Sequence, residues 1–188
     1  MNDFTRDDKW QREMRDAFLV PFYRRYSGFI FLDEGRFAKM MQQDGCDTLV
    51  WLGQHSPIAI EEKIVRCPED RPPYTAICLE TESCTTAGRI ARGWMWYSKA
   101  DVLLYCLHQQ DDTLECLWIK FPQLHQWFWP REKQFSLSVM TDTINKTASR
   151  IVPIDAIAAA GIPMKRFPLL RGGTACPTAD EPREEAAE

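Results

Sequence analysis

The chain contains no apolar run approaching the roughly 18 residues that a membrane helix needs. Its opening stretch, MNDFTRDDKWQREM, is charged and lacks an apolar centre, so no secretory signal peptide is expected. Histidine is scarce. His55, His108 and His125 are widely spaced and form no metal-binding signature, which argues against a zinc site. The seven cysteines are odd in number and no two stand as CxxC. Several lie inside apolar runs (AICLE, LLYCL, LECLW), so buried, reduced thiols in a cytoplasmic protein are the expectation. A basic surplus is also missing: 23 Lys and Arg stand against 27 Asp and Glu, for a net charge of −4. That excludes a protein that coats nucleic acid through bulk charge, because phosphate neutralisation needs excess cations. It leaves room for a local basic groove, and for carboxylates gathered around a divalent cation.

What is present fits one domain. The 188 residues are 45% hydrophobic and 27% charged, and no internal repeat is visible. Residues 1–171 are read as the domain. Residues 172–188, rich in Gly, Pro, Ala and Glu, are read as a disordered tail. A helix is expected over 5–26, capped by Thr5 and kinked at Pro21, and a second over 34–43, capped by Asp33. DTLVWLG (47–53) and IAIEEKIVR (58–66) read as a β-hairpin, and YTAICLET (74–81) as a third strand. Residues 82–93 read as a short helix or mobile loop, WMWY (94–97) as a short strand, and ADVLLYCLH (100–108) as a buried one. ECLWIKF (115–121) follows a turn at Asp111-Asp112, and Pro122 opens a helix. At least one strand falls within 135–155, and a helix over 154–161 is capped by Asp155 and ended by Gly161. The economical architecture is α/β: a central mixed sheet flanked by helices.

The hairpin brings chemistry together. Asp47 opens one strand. Glu61 and Lys63 stand two apart on its partner and emerge on one face, while Ile60 and Ile64 point to the other with Glu62 between them. A carboxylate and an ammonium on a strand this apolar cost free energy unless they are paired or bind something. Two carboxylates converging across a hairpin suit Mg²⁺, an ion that prefers oxygen and keeps several waters. A neighbouring ammonium offsets charge at a phosphate, which is the arrangement of metal-assisted phosphodiester hydrolysis.

Gly45-Cys46-Asp47, the hairpin, and Glu61-Glu62-Lys63 together resemble the PD-(D/E)XK nuclease superfamily, which has the restriction-endonuclease-like fold. The order of elements is similar too: helix, Asp strand, Glu-x-Lys strand, further strand, helix. The stretch ICLETES…GRIARGWMWYSKADVLLYCL resembles uncharacterised phage and bacterial members, and the likeness covers roughly residues 10–120. Cys46 stands where the named pattern has proline. The resemblance implies that Asp47 and Glu61 ligate Mg²⁺ or Mn²⁺, with the Glu62 backbone carbonyl in reach, and that Lys63 positions water or stabilises the transition state. It also implies an acidic residue from the preceding helix, for which Glu34 is the nearest candidate and Glu13 the second. The implied activity is DNA cleavage, with homodimers, structure-selective cutting and phage or mobile-element DNA processing all compatible.

Other residues extend this reading. Glu80 ends the third strand and is placed to line the cleft. Arg89, Arg92 and Lys99 form a basic stretch that can grip phosphates. Trp94 and Trp96, like Trp127 and Trp129, are spaced two apart. Core packing accounts for most of them, and one of each pair is available to stack on a base. Two alternatives stand beside DNA cleavage: a nuclease fold kept as a non-catalytic binding module, and a nuclease acting on RNA.

Overall fold

A computed structural model describes residues 3–26, 28–31, 45–51, 54, 56–67, 74–84, 90–141 and 146–172. The expected second helix over 34–43 and the tail beyond Gly172 lie outside these residues.

The protein is mixed α/β, and its two hydrophobic cores lie on opposite faces of one sheet. That sheet has six strands in the order β1 (Gly28–Phe31), β2 (Thr48–Trp51), β3 (Ile58–Arg66), β6 (Val102–His108), β7 (Leu114–Lys120) and β10 (Met164–Leu169). Only β3 and β6 run parallel; the other pairs are antiparallel. The expected hairpin is β2–β3, with Thr48 opposite Ile60. β6 is buried along nearly its whole length because both of its faces are covered. Val102, Leu104 and Cys106 pack toward one core, and Leu103, Tyr105 and Leu107 toward the other.

The N-terminal helix covers one face. It runs as α1 (Asp3–Met14), a π-helical turn (Arg15–Leu19) and α2 (Val20–Tyr23). Pro21 has no amide to offer the Ala17 carbonyl, and the Gly172 amide takes that place at 2.8 Å. Phe18, Leu19, Phe22 and Tyr23 then bury against Val50, Ile60, Ile64 and Val102.

The opposite face departs from expectation. It is covered largely by a second, four-stranded antiparallel sheet in the order β5 (Ile90–Arg92), β4 (Ala76–Cys84), β9 (Lys146–Pro153) and β8 (Ser136–Thr141). β4, read as another strand of the hairpin sheet, belongs here because its partner β9 arrives about seventy residues later, from Leu79 to Arg150 in register. Of the stretch 82–93, expected as a short helix or mobile loop, the described residues supply the end of β4, to Cys84, and β5, from Ile90. WMWY is one helical turn, α3 (Trp94–Tyr97), not a strand. Trp94 and Met95 are buried while Trp96 and Tyr97 are exposed, a pattern that strand alternation cannot produce. α4 (Phe121–Phe128) begins with Pro122 as expected. α5 (Ile154–Ala159) has Pro153 at its N-cap, and Asp155 lies inside the first turn rather than capping it. Cys46, Cys67, Cys106 and Cys116 are buried thiols, whereas Cys78 is exposed.

Candidate functional site

Strand alternation sorts β3 into two chemical faces. Ile60, Glu62 and Ile64 face the N-terminal helices; Glu61 and Lys63 face the second sheet. Asp47 sits just ahead of β2. Its amide donates to the Ile60 carbonyl at 2.8 Å, and its Oδ2 accepts the Glu62 amide at 2.8 Å. The Asp47 carboxylate is thereby pinned to the backbone of the Glu61–Lys63 segment, and its charge acts on both side chains.

Glu61 is 3% exposed, and its Oε1 lies 2.5 Å from Lys63 Nζ. Burial pushes the Glu61 carboxyl up to about 7; Lys63 opposes the shift and Asp47 adds to it. Burial pulls the Lys63 ammonium the other way, but Glu61, Asp47 and Glu80 together outweigh it and its pKa rises. Lys63 therefore stays cationic at any physiological pH. About a third of its side chain is exposed against almost none of Glu61, so Lys63 is the more accessible residue of the pair.

The crossover from β3 to β6 carries the rest of the site. Gly93 donates its amide to the Thr81 carbonyl at 2.9 Å, and a Cβ at Gly93 would stand 2.4 Å from the Glu80 carbonyl oxygen. Only glycine allows this approach. At the far end of α3, the Ser98 hydroxyl donates to the Gly45 carbonyl at 2.7 Å, two residues before Asp47. Anchored at both ends, α3 sets the Trp94 ring 5.2 Å from Lys63 Nζ, a cation–π contact. Tyr97, 42% exposed, feels the charges of Glu61, Glu80, Lys63 and Asp47, and its hydroxyl pKa is raised first by burial and then by those carboxylates. Glu80, half-buried on β4, has its carboxyl raised by burial against the pull of Lys63.

Behind the sheet, the Glu62 side chain is a hydrogen-bonding hub. Its Oε1 accepts the Tyr23 hydroxyl at 2.7 Å and the Thr48 hydroxyl at 2.5 Å, and its Oε2 accepts Arg15 Nε at 3.2 Å. Burial raises its carboxyl pKa, with Arg15 the main opposing influence. A carboxylate between two buried isoleucines calls for such donors, which is the signal in the sequence. Which donors answer is not legible there, since they come from the helix and from the neighbouring strand.

The fold thus gathers Asp47, Glu61, Lys63 and Glu80, and adds Trp94 and Tyr97, which the reading of 94–97 as a strand did not place there. Arg92 is exposed with its guanidinium 4.8 Å from the Trp96 ring centroid, and Lys99 is exposed just beyond α3. Glu13 pairs with Lys9 on exposed α1 at 3.7 Å. Glu34 and Arg89 lie outside the described residues. Among the described residues, no group of three or more His, Cys, Asp or Glu side chains is placed to hold a metal ion. From the described residues a cation here would draw on the carboxylates of Asp47 and Glu61, with backbone, water and substrate oxygens completing its shell. Comparison with protein-family models, curated proteins and solved structures finds no match for this chain. None of the helices among the described residues is long and apolar enough to cross a membrane.

Proposed function

We propose that this protein is a Mg²⁺-dependent nuclease, with Mn²⁺ able to substitute, that hydrolyses phosphodiester bonds of DNA on a restriction-endonuclease-like plan. The observation that carries the reading is the gathering of Asp47, Glu61 and Lys63 on one side of the β2–β3 hairpin, with Asp47 hydrogen-bonded to the backbone between the other two. The donor set is all oxygen and sparse, which suits an ion that keeps several waters. Bound Mg²⁺ would supply Lewis-acid polarisation of a phosphate oxygen and a more acidic water.

The chain's own residues account for the rest. Glu61 must give up its proton and exchange its contact with Lys63 before it can serve as a ligand. The resemblance would also bring the Glu62 backbone carbonyl into the metal's shell. Lys63, released from Glu61 and held cationic by Asp47 and Glu80, places positive charge where a phosphate gains negative charge. Arg92 and Lys99 offer sequence-independent contacts to the DNA backbone. A homodimer would let two such sites cut both strands.

A second reading is favoured by one observation. Glu61 and Lys63 satisfy each other at 2.5 Å, as expected of a structural ion pair in a non-catalytic binding module. One experiment separates the two. Purified protein and the Lys63→Ala variant are incubated with plasmid, single-stranded and branched DNA, and with RNA, in Mg²⁺ and in Mn²⁺. Metal-dependent DNA cleavage that the variant lacks supports the nuclease. The absence of cleavage of any substrate by folded protein favours the binding module, and cleavage of RNA alone changes the substrate.

A further inference from the structure

A cluster of aromatic rings and a guanidinium is built on α3, the helical turn that also carries Trp94 and Tyr97 of the proposed site. Trp96 is 44% exposed, and the Trp129 ring lies against it with centroids 3.8 Å apart and planes inclined by 36°. The Arg92 guanidinium lies over the Trp96 ring at 4.8 Å. The support is rigid. Trp129 Nε1 donates to His125 Nε2 at 2.8 Å, and His125 also hydrogen-bonds the Met95 backbone, so α4 is tied to α3 under the stack. The same short helix carries Trp94 against Lys63 and Tyr97 among the charges of the cluster, so Trp96 stands two residues after the first and next to the second. Lys99, three residues after Trp96, and Arg131, two residues after Trp129, are exposed, and the Arg131 guanidinium lies 5.8 Å from the Trp127 ring.

We infer that Trp96, backed by Trp129 and covered by Arg92, is a stacking site for an unpaired nucleobase, so that the substrate is DNA with a single-stranded segment entering the site. This rests on the nuclease reading for its placement beside a cutting centre. The chemistry follows from the components. A planar guanidinium on an indole occupies the position a base would take, and both are held by the same π-face. A base entering the stack displaces Arg92, whose freed charge then meets the adjoining phosphate. Stacking of this kind accepts any base but requires that it be out of a duplex. A protein partner would find here a small aromatic surface bearing a cation, a poorer match than a polyanion bearing flat rings.

The test measures affinity in EDTA, so that binding is read without cleavage. The probes are a fluorescently labelled oligo(dT), a duplex of equal length and oligo(U), used with the wild type and with Trp96→Ala, Trp96→Phe and Arg92→Ala. The expected result is about a tenfold weaker affinity of Trp96→Ala for oligo(dT), the effect of losing one stacked base. Duplex affinity should be nearly unchanged, and Trp96→Phe should retain most single-strand binding. Unchanged oligo(dT) affinity in Trp96→Ala, or an equal loss on duplex, overturns the inference. Tighter binding of oligo(U) than oligo(dT) overturns the assignment to DNA. Arg92→Ala, distant from both cores, keeps the test open if Trp96→Ala misfolds, and should show a smaller single-strand loss with a reduced salt dependence. Cleavage assays in Mg²⁺ stand apart. Cutting without Trp96-dependent binding leaves the nuclease and removes the stacking site, and the reverse leaves a single-strand binding protein.

Discussion

Asp47 accepts the backbone amide of Glu62 at 2.8 Å, while the Glu62 side chain runs to the opposite face of the sheet and ends in the hydroxyls of Tyr23 and Thr48. One residue thus locks both faces of β3. Its amide orients the aspartate at the candidate site, and its carboxylate moors the strand to the N-terminal helix. The site and the core behind it are mechanically one unit.

Glu61 should be a residue held at a cost to stability. Its carboxyl titrates at about 7 in the folded protein, against 4.5 for an ordinary glutamate. The folded state therefore binds this proton more tightly, and the stability it confers is lost as pH rises from 4.5 to 7. Glu61→Gln, which is neutral throughout, should be more stable than the wild type by up to about 3 kcal/mol at pH 8. The advantage should shrink to about 1 kcal/mol or less near pH 5. Paired urea titrations at the two pH values measure this, and a pH-independent difference would show that Glu61 is ionised without penalty.

Cation binding should share that proton. A divalent ion must displace it from Glu61, so affinity falls as pH drops below about 7. Mn²⁺ should raise the melting temperature at pH 8 and raise it much less at pH 6. Glu61→Gln should abolish the difference between the two pH values. A wild-type shift of equal size at both would remove Glu61 from the ligand set.

The Glu62 hub should dominate local stability. Tyr23→Phe deletes one donor to a buried carboxylate and should cost about 1–2 kcal/mol. Arg15→Ala, which removes the cation, should cost more and should raise the Glu62 carboxyl further. Thermal melts of both variants decide the ranking; a neutral Arg15→Ala would mean that the two hydroxyls suffice.

Gly93→Ala should destabilise by about 1–3 kcal/mol, because its Cβ meets main-chain atoms of β4 that cannot swing aside. The same change should displace α3 and lower any cleavage activity. Gly161→Ala is the control. That glycine has φ +70 with open space around it, so only a backbone cost of about 1 kcal/mol is expected, with activity intact. Equal activity in the two variants would separate α3 from the site.

Much was legible from local pattern alone. Alternation assigned Glu61 and Lys63 to one face of β3 and Ile60 and Ile64 to the other. The unbroken apolar run of β6 announced burial on both sides, and Asp111-Asp112 marked the turn, where Asp112 adopts φ 59. β1, which begins at Gly28, and β10 escaped notice. Each is an outer strand of its sheet, short and with little alternation to read.

What the residues determined by themselves was the set of side chains each strand presents, because a period of two is a property of the backbone. Which strand lies beside which was decided only in three dimensions. β4 left the hairpin sheet for a partner far along the chain, and that choice carried Glu80, Trp94 and Tyr97 to Lys63. Pairing depends on burying two distant surfaces together, and neither surface records the identity of the other in its own sequence.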